Sequence, residues 1–146
     1  MPPRKPTLAG TVSKTGLNAL NRGNQNKLNL VDLEIVESVD IDACFRDSEP
    51  NAFRWDYYLG IRRRGELYVE VHEVSEDEFQ RLLDKAGWLR EKIEILAWPS
   101  TPGRPLFVAP TKGITPFTAY GVLSKRLSMH KLTVVMKGDR IADLLD

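Results

Sequence analysis

The chain has few of the residues from which proteins build covalent cross-links and soft-metal sites. Its 146 residues include one cysteine, Cys44, and two histidines, His72 and His130. A single cysteine excludes an intrachain disulfide and a cysteine-based zinc cluster, and it indicates a reducing, cytoplasmic environment. Because imidazole and thiolate donors are so scarce, we expect any metal site to use carboxylates and a hard cation such as magnesium.

Long apolar runs are also missing. No stretch approaches the roughly 18 consecutive apolar residues that a membrane span requires, so we expect no membrane partner. The N-terminal residues 1–6 have no apolar run behind them and lack the pattern of a secretory signal. A length of 146 residues with 42% apolar content is typical of one globular domain with a substantial core.

Acidic residues are absent from two long segments. Residues 1–31 carry five basic side chains, residues 95–138 carry six, and neither segment has an acid. Residues 32–94 between them hold 17 acids against 9 bases. This layout favours flanking segments that contact a polyanion around a middle segment that supplies carboxylates. The alternative is that the blocks mix in the folded protein, because charge order along a chain does not define surface patches.

The composition divides the chain into two parts. Residues 1–29 are rich in proline, glycine, asparagine and lysine, and they are interpreted as a flexible basic arm. Leu17, Leu20 and Leu28 leave open a short helix or a docked strand in this region. Residues 30–146 are predicted to form a single α/β domain with a mixed central sheet.

A β-hairpin is the clearest local prediction. Arg54–Arg62 and Glu66–Val74 both alternate apolar and polar residues, and a loop of Arg63, Arg64 and Gly65 joins them. A three-residue hairpin loop favours a left-handed residue in its last position, which Gly65 can provide. The predicted register pairs Arg62 with Glu66, Gly60 with Tyr68, Tyr58 with Glu70 and Asp56 with His72.

That register gives the hairpin two different faces. The apolar face, predicted to pack on the core, carries Trp55, Tyr57, Leu59, Ile61, Leu67, Val69 and Val71. The polar face carries Asp56, Tyr58, Glu70 and His72. On this face, Asp56 and His72 could be an ordinary cross-strand pair on an open sheet surface.

Other elements follow from shorter patterns. Residues 34–41 favour a strand, with a short helix over 40–45 as the alternative for their end. Ser75 and Glu78 form a capping box that opens a helix, whose buried stripe is Phe79, Leu82, Leu83, Ala86 and Leu89. Further predictions are a buried strand over 93–98, a strand over 106–109, a helix ending at Ser128, a strand over 131–137 and a helical turn over 141–145.

The order of these elements resembles the core of the PD-(D/E)XK nucleases, the restriction-endonuclease-like fold, over residues 33–98. The matching residues are Asp56, at the start of one hairpin strand, and the sequence Glu70-Val71-His72 in the other. The chain departs from the family pattern at His72, where the motif has lysine. Glu34 or Glu37 could stand where such families place a further carboxylate.

The resemblance implies a metal-dependent phosphodiesterase. Asp56 and Glu70 would hold magnesium, or manganese in its place, and His72 or Lys85 would take the third catalytic role, with Lys92 behind Lys85. Such a site suits phosphodiester hydrolysis because hard cations prefer oxygen ligands and can activate water beside the phosphate.

Basic side chains outside this set are candidate nucleic-acid contacts: Arg62, Arg63, Arg64, Lys125 and Arg126. The predicted function is therefore a small nuclease, or a nuclease-like subunit, acting on DNA or RNA. The alternative is a non-catalytic module, such as an immunity, antitoxin or accessory subunit, that docks a protein or nucleic acid through charged surfaces. Nucleic acid is the expected partner, and a protein partner or a second copy of the chain is left open.

Overall fold

The fold is built on one six-stranded mixed sheet. The computed structural model describes residues 8–112, 117–136 and 138–145. The strands lie side by side in chain order: β1 (Lys14–Thr15), β2 (Ile35–Asp40), β3 (Tyr57–Ile61), β4 (Gly65–His72), β5 (Leu106–Pro110) and β6 (Leu132–Val134). Strands β1 to β4 pair with one another in antiparallel orientation, whereas β5 is parallel to β4 and β6 is parallel to β5. The predicted single α/β domain with a mixed sheet is confirmed.

Helices connect the strands and cover the sheet. They are α1 (Arg22–Gln25), α2 (Ile41–Phe45), α3 (Phe79–Leu96), α4 (Phe117–Ser128) and a final 3-10 helix (Ile141–Leu144). The parallel strands require crossover connections, which α3 and α4 provide. None of the helices in the described part of the chain combines the length and apolar content needed to cross a bilayer.

Both faces of the sheet are buried. Residues of α3 and α4, including Leu82, Leu89 and Leu127, pack on one face. On the other face Leu20 and Leu28 pack beside Ile141 and Leu145, so the two ends of the chain form the second cover. Alternate side chains of a strand point to opposite faces, and each strand of the hairpin therefore contributes to both clusters.

The N-terminal region packs against the domain from residue 8 onward. Leu8 is fully buried, β1 pairs with β2, and the Trp98 indole N–H donates to the carbonyl of Ala9. The interpretation of residues 1–29 as a flexible arm is therefore wrong for residues 8–29, and residues 1–7 lie outside the described residues. The scattered leucines of this region bury enough surface to dock it, which is the alternative left open by the sequence.

The hairpin is confirmed, but its register is shifted by two residues. Tyr58 pairs with Tyr68 and Gly60 pairs with Glu66. The loop is Arg62 to Arg64, and Gly65 lies in β4 opposite Ile61. Gly65 takes the predicted left-handed conformation with a φ of 79°, as does Arg63 with a φ of 63°, but Gly65 pairs with Ile61 and is therefore not a loop residue. A shift of two keeps every strand side chain on its predicted face.

Two predictions about the faces are wrong. The polar face is not open, because α3 covers it and Glu70 is completely buried. Trp55 packs in the α3 cluster and not with Tyr57, because it precedes β3 and escapes the strand alternation.

Helix α3 is longer than predicted. The residues predicted as a strand over 93–98 belong to its last turn and its end, where Ala97 is left-handed with a φ of 53°. Ile93 and Leu96 continue the helical spacing of the buried Leu82, Ala86 and Leu89. The Ser75 hydroxyl caps the Glu78 N–H at 3.3 Å, but the helix begins at Phe79. The strand beside β4 is β5, which matches the prediction for residues 106–109.

The remaining elements agree with their predictions. Strand β2 is followed by α2, whose N-cap is the Asp40 side chain accepting from the Ala43 N–H. Helix α4 ends at Ser128, β6 lies within the predicted 131–137 strand, and the 3-10 helix lies within 141–145. Residue 137 lies outside the described residues.

Candidate functional site

Two carboxylates from neighbouring strands meet at the end of the hairpin away from its loop. The Asp56 N–H donates to Glu70 Oε1 at 3.0 Å, and the Val71 N–H donates to Asp56 Oδ2 at 2.9 Å. Asp56 therefore lies opposite Glu70 and not opposite His72, as the corrected register requires. The ordinary Asp56–His72 cross-strand pair is wrong.

Lysine 85 reaches this pair from α3. Its Nζ lies 2.7 Å from Glu70 Oε2, and its side chain is 16% exposed while that of Glu70 is 0% exposed. Leu82, Ala86 and Leu89 hold α3 on the sheet, which places Lys85 over β4. A buried carboxylate needs such a partner, because removing an isolated charge from water costs several kcal/mol.

Histidine 72 lies near the same oxygen of Glu70 as Lys85 does. Its Nδ1 is 3.4 Å from Glu70 Oε2, and its Nε2 is 3.7 Å from Glu78 Oε2. Nε2 is buried and has no hydrogen-bond partner among the described residues. His72 is therefore beside the site, as predicted, but at distances longer than a normal hydrogen bond.

Burial and like charge disturb the protonation of Asp56. Burial is the largest cause and the nearby Glu70 charge the next, and together they raise the pKa of Asp56 from 3.8 to about 7. The hydrogen bond from Val71 and the charge of Lys85 oppose this rise. Two carboxylates in one low-dielectric pocket repel each other, and a bound cation relieves that repulsion.

The donor set fits a hard divalent cation. The two carboxylates supply oxygen, which magnesium and manganese prefer. Within residues 8–112, 117–136 and 138–145, no three His, Cys, Asp or Glu side chains converge as a metal centre of their own. Magnesium usually keeps several waters and binds through one or two carboxylates plus substrate phosphate, so a pair such as Asp56 and Glu70 is within the number of side-chain ligands that it uses.

The predicted arginines at the hairpin loop lie far from these carboxylates. Glu70 is the fifth residue after Gly65 along β4, which corresponds to about 17 Å along an extended strand. Arg62 pairs with Glu34 at 2.7 Å, and Arg63 is exposed. The structure therefore does not bring Arg62, Arg63 and Arg64 into the site.

The structure also gives the surroundings of the other predicted basic side chains and of the two predicted upstream acids. Arg126 binds Glu76 at 2.7 Å and stacks on the Phe79 ring, whereas Lys125 is exposed on α4. Glu37 is buried and accepts from the Tyr58 hydroxyl, near the loop end of the hairpin. Neither predicted upstream acid, Glu34 or Glu37, therefore lies beside Asp56.

Lys92 does not reach the carboxylate pair. It binds Glu49, which also accepts from the Trp88 indole N–H. Lys92, which was predicted to stand behind Lys85, instead links the α2–β3 connection to α3.

Sequence reasoning missed two groups around the site. Glu78 faces His72 and also lies 3.5 Å from Arg81. Arg54 binds Asp42 beside the Asp56 backbone. Only the capping-box spacing drew attention to Glu78, and nothing local in the sequence indicates the Arg54–Asp42 pair, because its partners are twelve residues apart.

The charge blocks of the chain mix in the folded structure. Arg126 from the second basic segment pairs with Glu76 of the acidic one, and Arg140 pairs with Asp32. Other acids of the middle segment pair with bases of that same segment, as Glu49 does with Lys92. This agrees with the mixing alternative for the charge order.

Comparisons with known proteins add no assignment. No protein-family model matches the chain, and searches of curated proteins and of solved structures find no match either. The function has to be inferred from the geometry of the Asp56–Glu70 site.

Proposed function

We propose that this protein is a small metal-dependent nuclease that hydrolyses phosphodiester bonds in DNA or RNA. The observation that carries the proposal is the pairing of the buried Glu70 with the partly buried Asp56, with Lys85 bound to Glu70 at 2.7 Å. A structural ion pair would not need the second carboxylate, whose pKa is raised to about 7 by burial and by Glu70. Strongly perturbed groups of this kind are typical of functional sites.

The topology around the pair also supports the proposal. Three antiparallel strands, β2 to β4, are followed by α3 and then by β5 parallel to β4. An acid at the start of the second of these strands and another within the third is the arrangement implied by the PD-(D/E)XK resemblance. The strand after α3 is β5 and not residues 93–98, so a core of this kind would have to include β5.

Each side chain has a defined role in this proposal. Asp56 and Glu70 are the ligands of magnesium, which when bound activates water and neutralises charge on the phosphate. Lys85 pairs with Glu70 and orients its carboxylate, and its ammonium group is available to stabilise negative charge that develops on the phosphate. His72 occupies the motif position of the lysine, but Lys85 makes the shorter contact with Glu70.

Manganese binding tests the proposal directly. Isothermal titration at pH 8, where Asp56 is ionised, compares the parent protein with Glu70→Gln. The matched control is Glu66→Gln, because Glu66 is also buried on β4 but binds Thr101 and Arg104. We expect Glu70→Gln to weaken binding by more than about 100-fold, beyond the effect of outer-shell partners. Glu66→Gln should bind as the parent does.

Cleavage then identifies the substrate. The parent protein is incubated in magnesium and in manganese with single- and double-stranded DNA and RNA of one sequence, alongside Glu70→Gln and Lys85→Ala. Metal-dependent cleavage that both variants lose supports the nuclease. A parent protein that neither binds manganese nor cleaves any of the four nucleic acids overturns it and favours the non-catalytic binding module.

A further inference from the structure

Arg54 links the connection between α2 and β3 to α2. Arg54 donates from Nε to Asp42 Oδ1 at 2.8 Å and from Nη1 to the Glu49 carbonyl at 2.7 Å. Its side chain is 15% exposed, so most of the guanidinium group is removed from water. A planar guanidinium with two bonds in different directions fixes geometry in a way that a lysine cannot.

This arginine is joined to α3 through Glu49. The Glu49 carboxylate accepts from the Trp88 indole N–H at 3.1 Å and pairs with Lys92. Lys92 also lies over the Phe45 and Trp88 rings. Arg54 is thereby connected to the helix that carries Lys85, seven residues before Lys92.

The same arginine is joined to the backbone of Asp56 through α2. The Ile41 N–H donates to the Asp56 carbonyl at 2.8 Å, and Asp42 is the next residue of that first helical turn. A displacement of α2 or of the connection would therefore displace Asp56. Glu70 is held by Lys85 at Oε2 as well as by the Asp56 N–H at Oε1, so such a displacement would change the position of one carboxylate against the other.

We propose that Arg54 is the positioning residue of the Asp56–Glu70 site, fixing Asp56 against α2 and, through Glu49, against α3. This inference rests on the proposed metal site and adds a residue that the site itself does not contain. Outer-shell groups that orient metal ligands typically change metal affinity by about 10–100-fold when they are removed. We expect an effect of that size from Arg54.

The chain offers a matched control for charge. Arg46 binds the other oxygen of the same carboxylate, Asp42 Oδ2, at 2.9 Å, but its side chain is 60% exposed. Arg46 bonds to Asp42 within α2 and the residue that follows it, so its loss leaves the Arg54–Glu49 link intact. Arg46→Ala removes the same positive charge from Asp42 as Arg54→Ala does.

The test measures manganese affinity at pH 8 for the parent protein, Arg54→Ala, Arg54→Lys and Arg46→Ala, at a temperature where circular dichroism shows all four folded. We expect Arg54→Ala to weaken binding by about 10-fold or more, and Arg54→Lys to remain weak because it keeps the charge but not both bonds. Arg46→Ala should stay within about 2-fold of the parent, as expected for an exposed pair.

Lys92→Met provides a second approach if Arg54→Ala does not fold. It removes the ion pair to Glu49 from the α3 side without touching Arg54, and we expect weaker manganese binding. Two results would overturn the positioning role. One is equal manganese affinity in the parent, Arg54→Lys and Lys92→Met. The other is an equal loss of manganese affinity in Arg54→Ala and Arg46→Ala. A parent protein without manganese binding would instead count against the metal site itself, so the two failures are distinguishable.

Discussion

Strand β4 buries two glutamates on the same face, and their surroundings differ. Glu66 is 4% exposed and Glu70 is 0% exposed, four residues apart. The Glu66 carboxylate accepts from the Thr101 N–H and hydroxyl and lies 3.9 Å from Arg104, which also donates to the Glu66 carbonyl. Glu66 thereby attaches the loop before β5 to the hairpin, which is a structural role.

Glu70 has a cationic partner too, but it also faces a second carboxylate. Its oxygens receive the Asp56 N–H and the Lys85 ammonium, while the Asp56 carboxyl shares its pocket. Burial of an acid therefore does not distinguish a structural from a functional group. The distinguishing feature is like charge held together without full neutralisation, which lowers stability and is retained at sites that bind cations.

The largest expected effect at the Glu70 end comes from Asp56→Asn. A pKa raised from 3.8 to about 7 means that Asp56 supports folding below pH 4 and that this support is lost as pH rises through 7. At pH 8 the ionised group costs on the order of 2–4 kcal/mol. Asp56→Asn should raise the free energy of unfolding by about that amount at pH 8, and by less as pH falls towards 4.

Urea denaturation at several pH values measures this effect, with Asp42→Asn as the control of opposite sign. Burial raises the pKa of Asp42, but hydrogen bonds from Arg46 and Arg54 outweigh it and lower the pKa overall. The Asp42 ion pairs therefore stabilise the protein above pH 4 and are lost as pH falls. Asp56→Asn should also abolish manganese binding, and a variant that is less stable than the parent at pH 8 would refute the like-charge argument.

An intermediate effect is expected at the Glu66 end from Gly60→Ala. Gly60 pairs with Glu66, and a Cβ there would lie 2.8 Å from Glu37 Cγ and 2.9 Å from the Tyr58 hydroxyl oxygen. Crowding in a packed interior typically costs about 1–3 kcal/mol. We expect that loss in urea denaturation together with unchanged manganese affinity, and an altered affinity would mean that the two ends of the hairpin are coupled.

The smallest effects concern the hairpin loop and Gly65, the first residue after it. Gly65 has a φ of 79°, and an added Cβ would lie 3.0 Å from Thr101 Oγ1. Gly65→Ala should therefore lower the free energy of unfolding by about 1 kcal/mol. Arg63→Gly should change it by no more than about 0.5 kcal/mol, because relief of the left-handed strain offsets the added freedom of glycine when unfolded. Thermal unfolding of both variants measures the difference between them. The prediction is wrong if Arg63→Gly loses as much stability as Gly65→Ala.

Local sequence patterns predicted the elements more successfully than their ends and pairings. Alternation over 57–61 and 65–72 and the leucine spacing of α3 require only neighbours in the chain, so both elements were predicted. The register was not, because Arg63 and Gly65 both take a positive φ and the sequence does not indicate which pair of residues closes the three-residue loop. The sequence predicts a strand where the last turn of α3 lies, because a short apolar run such as 93–98 suits either structure.

Periodicity along the chain predicts a single α/β domain, the hairpin, and Asp56 and Glu70 as near neighbours on that hairpin. Tertiary structure decided which groups meet. Lys85 and Glu70 are fifteen residues apart, and Arg54 and Asp42 are twelve residues apart. These pairs form because α3 and α2 pack where the buried leucines and the aromatic rings of Phe45 and Trp88 place them. Charge partners across elements depend on that packing, for which the chain carries no local signal.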